Sequence, residues 1–173
     1  MATKKLNDDR NKDTFATIGE LILITNALDY QLAEVVITVL NLGRSLMLMP
    51  VVMTLDPSRK IEILKAHAAH VSQPDWKRGI SNFVDKVERV LKYRNITCHT
   101  QPILQKGEWT LRPFAAAKVL KNIDLKKKTL KSVTIRELRD AISTAESALG
   151  AGVNLIENFQ QVNAELAKRA TRS

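Results

Sequence analysis

The C-terminal part of the chain carries the most regular apolar pattern in the sequence. Apolar residues recur there at intervals of three and four over about nine helical turns. The positions are Ile135, Leu138, Ile142, Ala145, Leu149, Val153, Ile156, Phe159, Val162 and Leu166. Thr134 and Glu137 form a capping box that opens this helix. Gly150 and Gly152 predict either a kink or a close contact with a neighbouring helix.

Helical periodicity also occurs in earlier segments. The first helix is predicted from Asp13 or Thr14 to about Asn41, with Gly43 as its stop signal. Its apolar arc is so broad that we expect other parts of the chain to pack against this helix on more than one side. Gln31 falls on the opposite, polar face. The apolar segment 44–55 predicts a short helix or an extended cover.

Two further helices follow this segment. Asp56 and Pro57 predict the N-cap and first turn of a helix that runs to about Val71. Pro74 opens the next helix, which runs to about Thr97. Together with the first and last helices, these segments predict an all-α fold, an up-and-down four-helix bundle.

The segment 101–132 differs in character, because Pro102, Gly107 and Pro113 disfavour helix. Residues 108–112 predict a short strand, so we expect a small β-hairpin or an ordered loop between the third and last long helices. The remaining boundaries are a flexible arm over 1–13, a single domain over 14–168 and a basic tail over 169–173.

Composition restricts the location and the partners of the chain. A single cysteine excludes an internal disulfide and fits a reducing cytoplasm. We find no signal peptide and no apolar run close to the ~20 residues of a membrane span, so no membrane association is expected. The net charge of +9 favours a polyanion such as RNA, although a basic chain with no binding role explains it equally.

Two charged residues fall on apolar helix faces, Asp29 on the first helix and Arg94 on the third. A buried charge is costly unless it is paired or functional, and these two have opposite signs. We therefore expect them to meet. One reading is an ion pair that fixes the helix register. The other is that Asp29 orients an arginine whose planar fork holds a phosphate.

Arg94 is followed by Asn95 and, after three more residues, by His99. This motif, near the end of a third helix, resembles that of the HEPN superfamily (higher eukaryotes and prokaryotes nucleotide-binding domains), whose members are small helical bundles. The segments IGELILITNALDYQL and LDPSRKIEILK are also similar to one bacterial branch. The resemblance covers about 15–100 and 134–167. The small residue that often follows the histidine in relatives is replaced here by Thr100, which precedes Gln101 and Pro102.

The resemblance implies a metal-independent endoribonuclease that needs no cofactor and has a composite active site in a homodimer. Arg94 and His99 would be catalytic, Asn95 would bind the phosphate or hold His99, and Asp29 would orient the arginine. A toxin or defence effector with an antitoxin or a regulatory protein as partner fits this class. The alternative is a catalytically inactive helical scaffold that binds a protein or nucleic acid.

Other residues are candidates for binding rather than for catalysis. Lys92 and the lysine-rich segment with Lys126, Lys127 and Lys128 are expected to contact RNA, although the segment also fits a solvated loop. His67 and His70 have metal-ligand spacing but no Cys or acidic pair beside them, so no metal site is predicted. Cys98 is predicted to pack on the apolar side of its helix.

Overall fold

The computed structural model describes residues 2–45, 47–105, 108–113, 123–124, 129–130 and 132–170. The helices are α1 (Ala2–Val39), a 3-10 turn (Leu42–Arg44), α2 (Leu48–Thr54), α3 (Pro57–His70), α4 (Pro74–Cys98) and α5 (Ile135–Ala170). The strands are β1 (Thr100–Gln105), β2 (Glu108–Pro113), β3 (Ile123–Asp124), β4 (Thr129–Leu130) and β5 (Val133–Thr134). The protein is mostly helical with small antiparallel sheets, which confirms the predicted helical character. The up-and-down four-helix bundle stays a prediction.

Two helix starts follow the capping signals in the sequence. The Oδ1 atom of Asp56 accepts hydrogen bonds from the backbone N–H of Ser58 at 2.9 Å and of Arg59 at 3.2 Å, with Pro57 in the first turn. At α5 the backbone N–H of Thr134 donates to Glu137 Oε2 at 2.8 Å, and that of Glu137 donates to Thr134 Oγ1 at 3.2 Å. These contacts satisfy N–H groups that a helix leaves unpaired at its start.

Helix α1 differs from the prediction at both ends. It begins at Ala2, so it includes the segment predicted as a flexible arm. No proline or glycine lies between Ala2 and Phe15 to stop the helix from extending backwards. At the other end the left-handed residue is Asn41, with φ of 53°, and not Gly43. Asparagine is one of the few side chains that tolerates this conformation after a helix.

The described chain forms two compact units. The hairpin unit comprises Met1–Thr25 and Arg89–Thr144, and the helical unit comprises Asn26–Glu88 and Ala145–Ser173. Within the hairpin unit, β1, β2 and β5 form an antiparallel sheet in which Thr100 lies opposite Pro113. This sheet confirms the predicted hairpin between the third and last long helices. The assignment of 14–168 to a single domain stays a prediction.

The helical unit has an apolar core drawn from α1, α2, α3, α4 and α5. Its buried apolar residues are Leu28, Leu32, Ala33, Val35, Val36, Ile37, Val39, Val52, Ile61, Leu64, Ala68, Ile80, Phe83, Val84, Val87, Ala145, Ala148, Leu155 and Phe159. Three consecutive residues of α1, Val35 to Ile37, are buried, which confirms that this helix is covered on more than one side.

Gln31 contradicts its predicted place on a polar face. Its side chain is buried and donates from Nε2 to the backbone carbonyl of Leu149 on α5 at 2.9 Å. A Cβ atom built on Gly152 would clash with the carboxamide of Gln31. The missing side chain at Gly152 thus makes room for the glutamine, and this is the close helix contact that the glycine predicted. A Cβ atom built on Gly150 would have no such neighbour within 4 Å.

Gly152→Ala and Gly150→Ala form a matched pair of substitutions. We expect Gly152→Ala to lower the free energy of unfolding by roughly 1–3 kcal/mol, because the methyl group overpacks a site that Gln31 fills. Gly150→Ala should instead raise it by up to about 1 kcal/mol, because alanine is the better helix former. Urea denaturation followed by circular dichroism measures both. If both substitutions change the free energy of unfolding by the same amount, the contact between Gly152 and Gln31 is contradicted.

The N-cap of α3 predicts a pH effect on stability. Hydrogen bonds from the Ser58 hydroxyl and the Arg59 backbone lower the pKa of Asp56 below its usual 3.8. A depressed folded-state pKa stabilises the protein above the unfolded pKa, and this contribution is lost as the pH falls through the folded value. We expect Asp56→Asn to be less stable than the wild type at pH 6 and to approach it near pH 2, measured by thermal unfolding. A difference independent of pH would contradict the prediction.

One described helix segment meets the length and composition of a membrane span. It is Lys12–Val39, with a mean hydropathy of 1.4 and a window that is 50% buried inside the protein. Uninterrupted apolar runs do not reveal this segment, because the helix includes scattered polar residues. The core helix of a soluble protein has the same properties, so the segment is weak evidence for a membrane span.

Candidate functional site

Residues 93–98 form the end of α4 in the hairpin unit, and His99 follows directly. The hydroxyl of Thr97 donates to the Tyr93 carbonyl at 2.9 Å, and the backbone N–H of His99 donates to the Ile96 carbonyl at 3.0 Å. The hydroxyl of Thr100 then donates to the Thr97 carbonyl at 3.2 Å as β1 begins. His99 is therefore held between the last turn of a helix and the first residue of a paired strand, which fixes its backbone on both sides.

Arg94 and Asn95 contact each other directly. Arg94 is half-buried, Asn95 is exposed, and Arg94 Nη1 donates to Asn95 Oδ1 at 3.1 Å. The amide is a neutral acceptor, so the guanidinium keeps its charge for another ligand while one of its N–H groups is held in place. Sequence analysis predicted Asn95 as a partner of the phosphate or of His99, and the structure adds a contact to the arginine.

Asp29 pairs with Lys60, a partner that the sequence did not predict, and its predicted role of orienting Arg94 stays a prediction. Asp29 Oδ1 lies 2.7 Å from Lys60 Nζ, and the Asp29 backbone carbonyl lies 3.4 Å from the same nitrogen. Lys60 is only 2% exposed, while the side chain of Asp29 is 39% exposed. The lysine on α3 is a buried charge that needs a carboxylate, and Asp29 supplies it.

His99 and Cys98 are both exposed. The exposure of Cys98 contradicts its predicted packing, because the buried position in this last turn of α4 is the neighbouring Thr97. Exposure of His99 leaves its imidazole accessible to a large substrate. The C-terminal end of a helix carries partial negative charge, so a phosphate bound here has to be held by cationic side chains and not by the helix dipole.

The predicted RNA contacts are only partly within the described chain. Lys92 is exposed on α4, as a phosphate contact requires. Lys126, Lys127 and Lys128 lie outside the described residues. Within the described residues, no group of three or more His, Cys, Asp or Glu side chains is arranged to hold a metal ion.

Comparisons with protein-family models, with curated proteins and with solved structures gave no match to this chain. The family resemblance therefore rests on the Arg94–His99 motif and on the helical segments around it. What the site can do has to be argued from its own chemistry.

The pairing of Asp29 with Lys60 predicts unequal effects of their substitutions. Asp29→Ala should cost about 2–3 kcal/mol of unfolding free energy, because it leaves the buried ammonium of Lys60 without its carboxylate. Lys60→Met should cost much less, since an apolar side chain of similar length removes the charge that needs a partner. Chemical denaturation of the two variants and the double variant measures the coupling. If the two losses are equal and additive, the pair does not stabilise the fold in this way.

Proposed function

We propose that the protein is a metal-independent endoribonuclease that cleaves RNA by attack of a 2′-hydroxyl on the adjacent phosphate. The observation that carries the proposal is the Arg94–Asn95 hydrogen bond in the last turns of α4, with an exposed His99 directly after the helix. Arginine supplies a permanent charge in a planar fork, and histidine can exchange protons near neutral pH. Neither group requires a metal for this reaction.

The reaction balances with these groups alone. A base removes the proton of the 2′-hydroxyl, a bond forms between O2′ and phosphorus, and the bond from phosphorus to O5′ breaks. An acid returns a proton to the leaving O5′, so the products carry a 2′,3′-cyclic phosphate and a 5′-hydroxyl. Arg94 would stabilise the additional negative charge of the transition state. Restriction to RNA follows, because DNA lacks the 2′-hydroxyl.

A homodimer completes the proposed site. Base and acid act in the same reaction, and the motif contributes one histidine per chain. Two copies that face each other would supply His99 of one chain as base and His99 of the other as acid. Lys92 would hold the RNA backbone, together with the lysines at 126–128. Such an activity in the cytoplasm fits a toxin or a defence effector that a partner protein restrains.

A second candidate function is a helical scaffold that binds a protein partner without catalysis. The observation that favours it is the exposure of apolar side chains on and beside α2. Met47 is 82% exposed, Leu48 44%, Val51 53% and Met53 40%. Contiguous exposed apolar residues are typical of protein-binding surfaces. This candidate predicts no RNA cleavage by the wild type.

The decisive experiment compares RNA cleavage by the wild type, His99→Ala and His70→Ala with a chelator present. His70 is also exposed but lies on α3 in the helical unit, so it is a matched control. We expect His99→Ala to lower the cleavage rate by about 10²-fold or more, the usual loss for an acid–base group. His70→Ala should cleave like the wild type.

Two further readouts make the result specific. A substrate with a single 2′-deoxy position should resist cleavage there, and Arg94→Lys should be slow because it keeps the charge but loses the fork. Activity that disappears with chelator, survives His99→Ala or cleaves the deoxy position would refute the mechanism. A wild type that cleaves no RNA would leave the scaffold as the better account.

A further inference from the structure

A cavity of about 370 Å³ lies in the helical unit. It is formed by residues from the ends of α1, α3 and α4, by the loop between α3 and α4, and by α5. The lining residues are Val39, Leu40, Asn41, His67, His70, Val71, Ser72, Gln73, Trp76, Phe159, Val162, Asn163 and Leu166. This volume lies in the lower part of the range for small-molecule sites, roughly 300–1,000 Å³.

One side of the cavity is apolar and aromatic. Trp76 and Phe159 line it with ring centroids 5.3 Å apart and planes inclined by 51°. Trp76 is half-buried, so part of its indole is accessible. An indole face offers a flat apolar surface on which another aromatic ring can stack. The accessible part of the Trp76 indole favours a planar ligand over a flexible chain.

Three carboxamides supply polar groups to the same cavity, from Asn41, Gln73 and Asn163. Asn163 Nδ2 donates to the Thr38 carbonyl at 2.8 Å, which orients this amide. Asn41 occupies the left-handed conformation after α1 and is the N-cap of the 3-10 turn, where its side chain makes no capping hydrogen bond. Carboxamides present both donors and acceptors, and this combination matches the edge of a nucleobase.

The charge of the lining restricts the ligand further. Among the described residues, no lysine, arginine, aspartate or glutamate lines the cavity. A phosphate or carboxylate on the ligand would therefore find no permanent countercharge in the cavity. His67 and His70 are the titratable residues in the lining, and they belong to no metal-binding group among the described residues. The cavity thus fits an uncharged organic molecule.

We propose that this cavity binds an uncharged planar heterocycle with hydrogen-bonding groups on its edge, the chemistry of a free nucleobase or its nucleoside. The ring stacks on Trp76, and the carboxamides of Asn41, Gln73 and Asn163 bind its edge. Ligand binding here does not depend on RNA cleavage, since the cavity is lined by residues of the helical unit alone. The cavity is then a small-molecule site in addition to the Arg94–His99 motif.

The test titrates adenosine, guanosine, cytidine and uridine into a Trp109→Phe protein, in which Trp76 is the remaining tryptophan reporter. Saturable quenching of Trp76 fluorescence by at least one nucleoside is expected. The 5′-monophosphate of that nucleoside should bind at least about fivefold more weakly, because its charge is not compensated. Quenching by none of the four, or equal affinity for the monophosphate, would overturn the proposal.

Two substitutions test whether the nucleoside binds in this cavity, and neither alters the apolar core. Asn41→Gly keeps the left-handed backbone and removes the carboxamide, and Gln73→Ala keeps the carbonyl that accepts from the Lys77 N–H at 3.1 Å. The double variant should bind about tenfold more weakly or worse. Asn158→Ala, which removes an exposed amide outside the cavity, and His99→Ala should bind like the parent. Unchanged affinity in the double variant would show that the nucleoside binds elsewhere and overturn the proposal.

Discussion

The ion pair between Lys60 and Asp29 is the contact on which the helical unit most depends. A lysine at 2% exposure has lost nearly all of its hydration, and its ammonium requires a carboxylate and further acceptors nearby. Asp29 provides both, through Oδ1 at 2.7 Å and through its own carbonyl at 3.4 Å. Because both acceptors belong to one residue of α1, the pair permits a single register between α1 and α3. An apolar contact would tolerate a shift by one turn more easily.

Further polar contacts hold the same part of α1. Gln31 reaches the carbonyl of Leu149 and rests on Gly152, while Asn163 reaches the carbonyl of Thr38. The last turns of α1 are thereby tied to both α3 and α5 by directional bonds. This restraint fixes the place where the chain leaves the helix at Asn41. The proposed nucleoside site depends on it, since one of its carboxamides is on that residue.

The sequence predicted those features that depend on local chemistry. The capping pairs at Asp56 and Thr134, the start of α4 and the hairpin follow from residues close together in the chain, and the structure confirms them. The burial of Gln31 and the pairing of Lys60 depend on distant residues that periodicity does not specify. A signal for Lys60 was nevertheless present, because it precedes Leu64 by one turn on the apolar stripe of α3. Lysine is rarely buried, so its place on that stripe does not by itself predict burial.

The same reasoning explains why the candidate site was predicted only in part. A helical wheel gives the face on which Arg94 lies, but it does not give the acceptor that its guanidinium finds. The opposite charge of Asp29 made it the predicted partner of Arg94. A fully buried lysine, however, needs a carboxylate more than a half-buried arginine does. With Asp29 committed to Lys60, Arg94 is held by a neutral amide that does not cancel its charge. An arginine that is positioned but not neutralised is better suited to bind a phosphate than one locked in an ion pair.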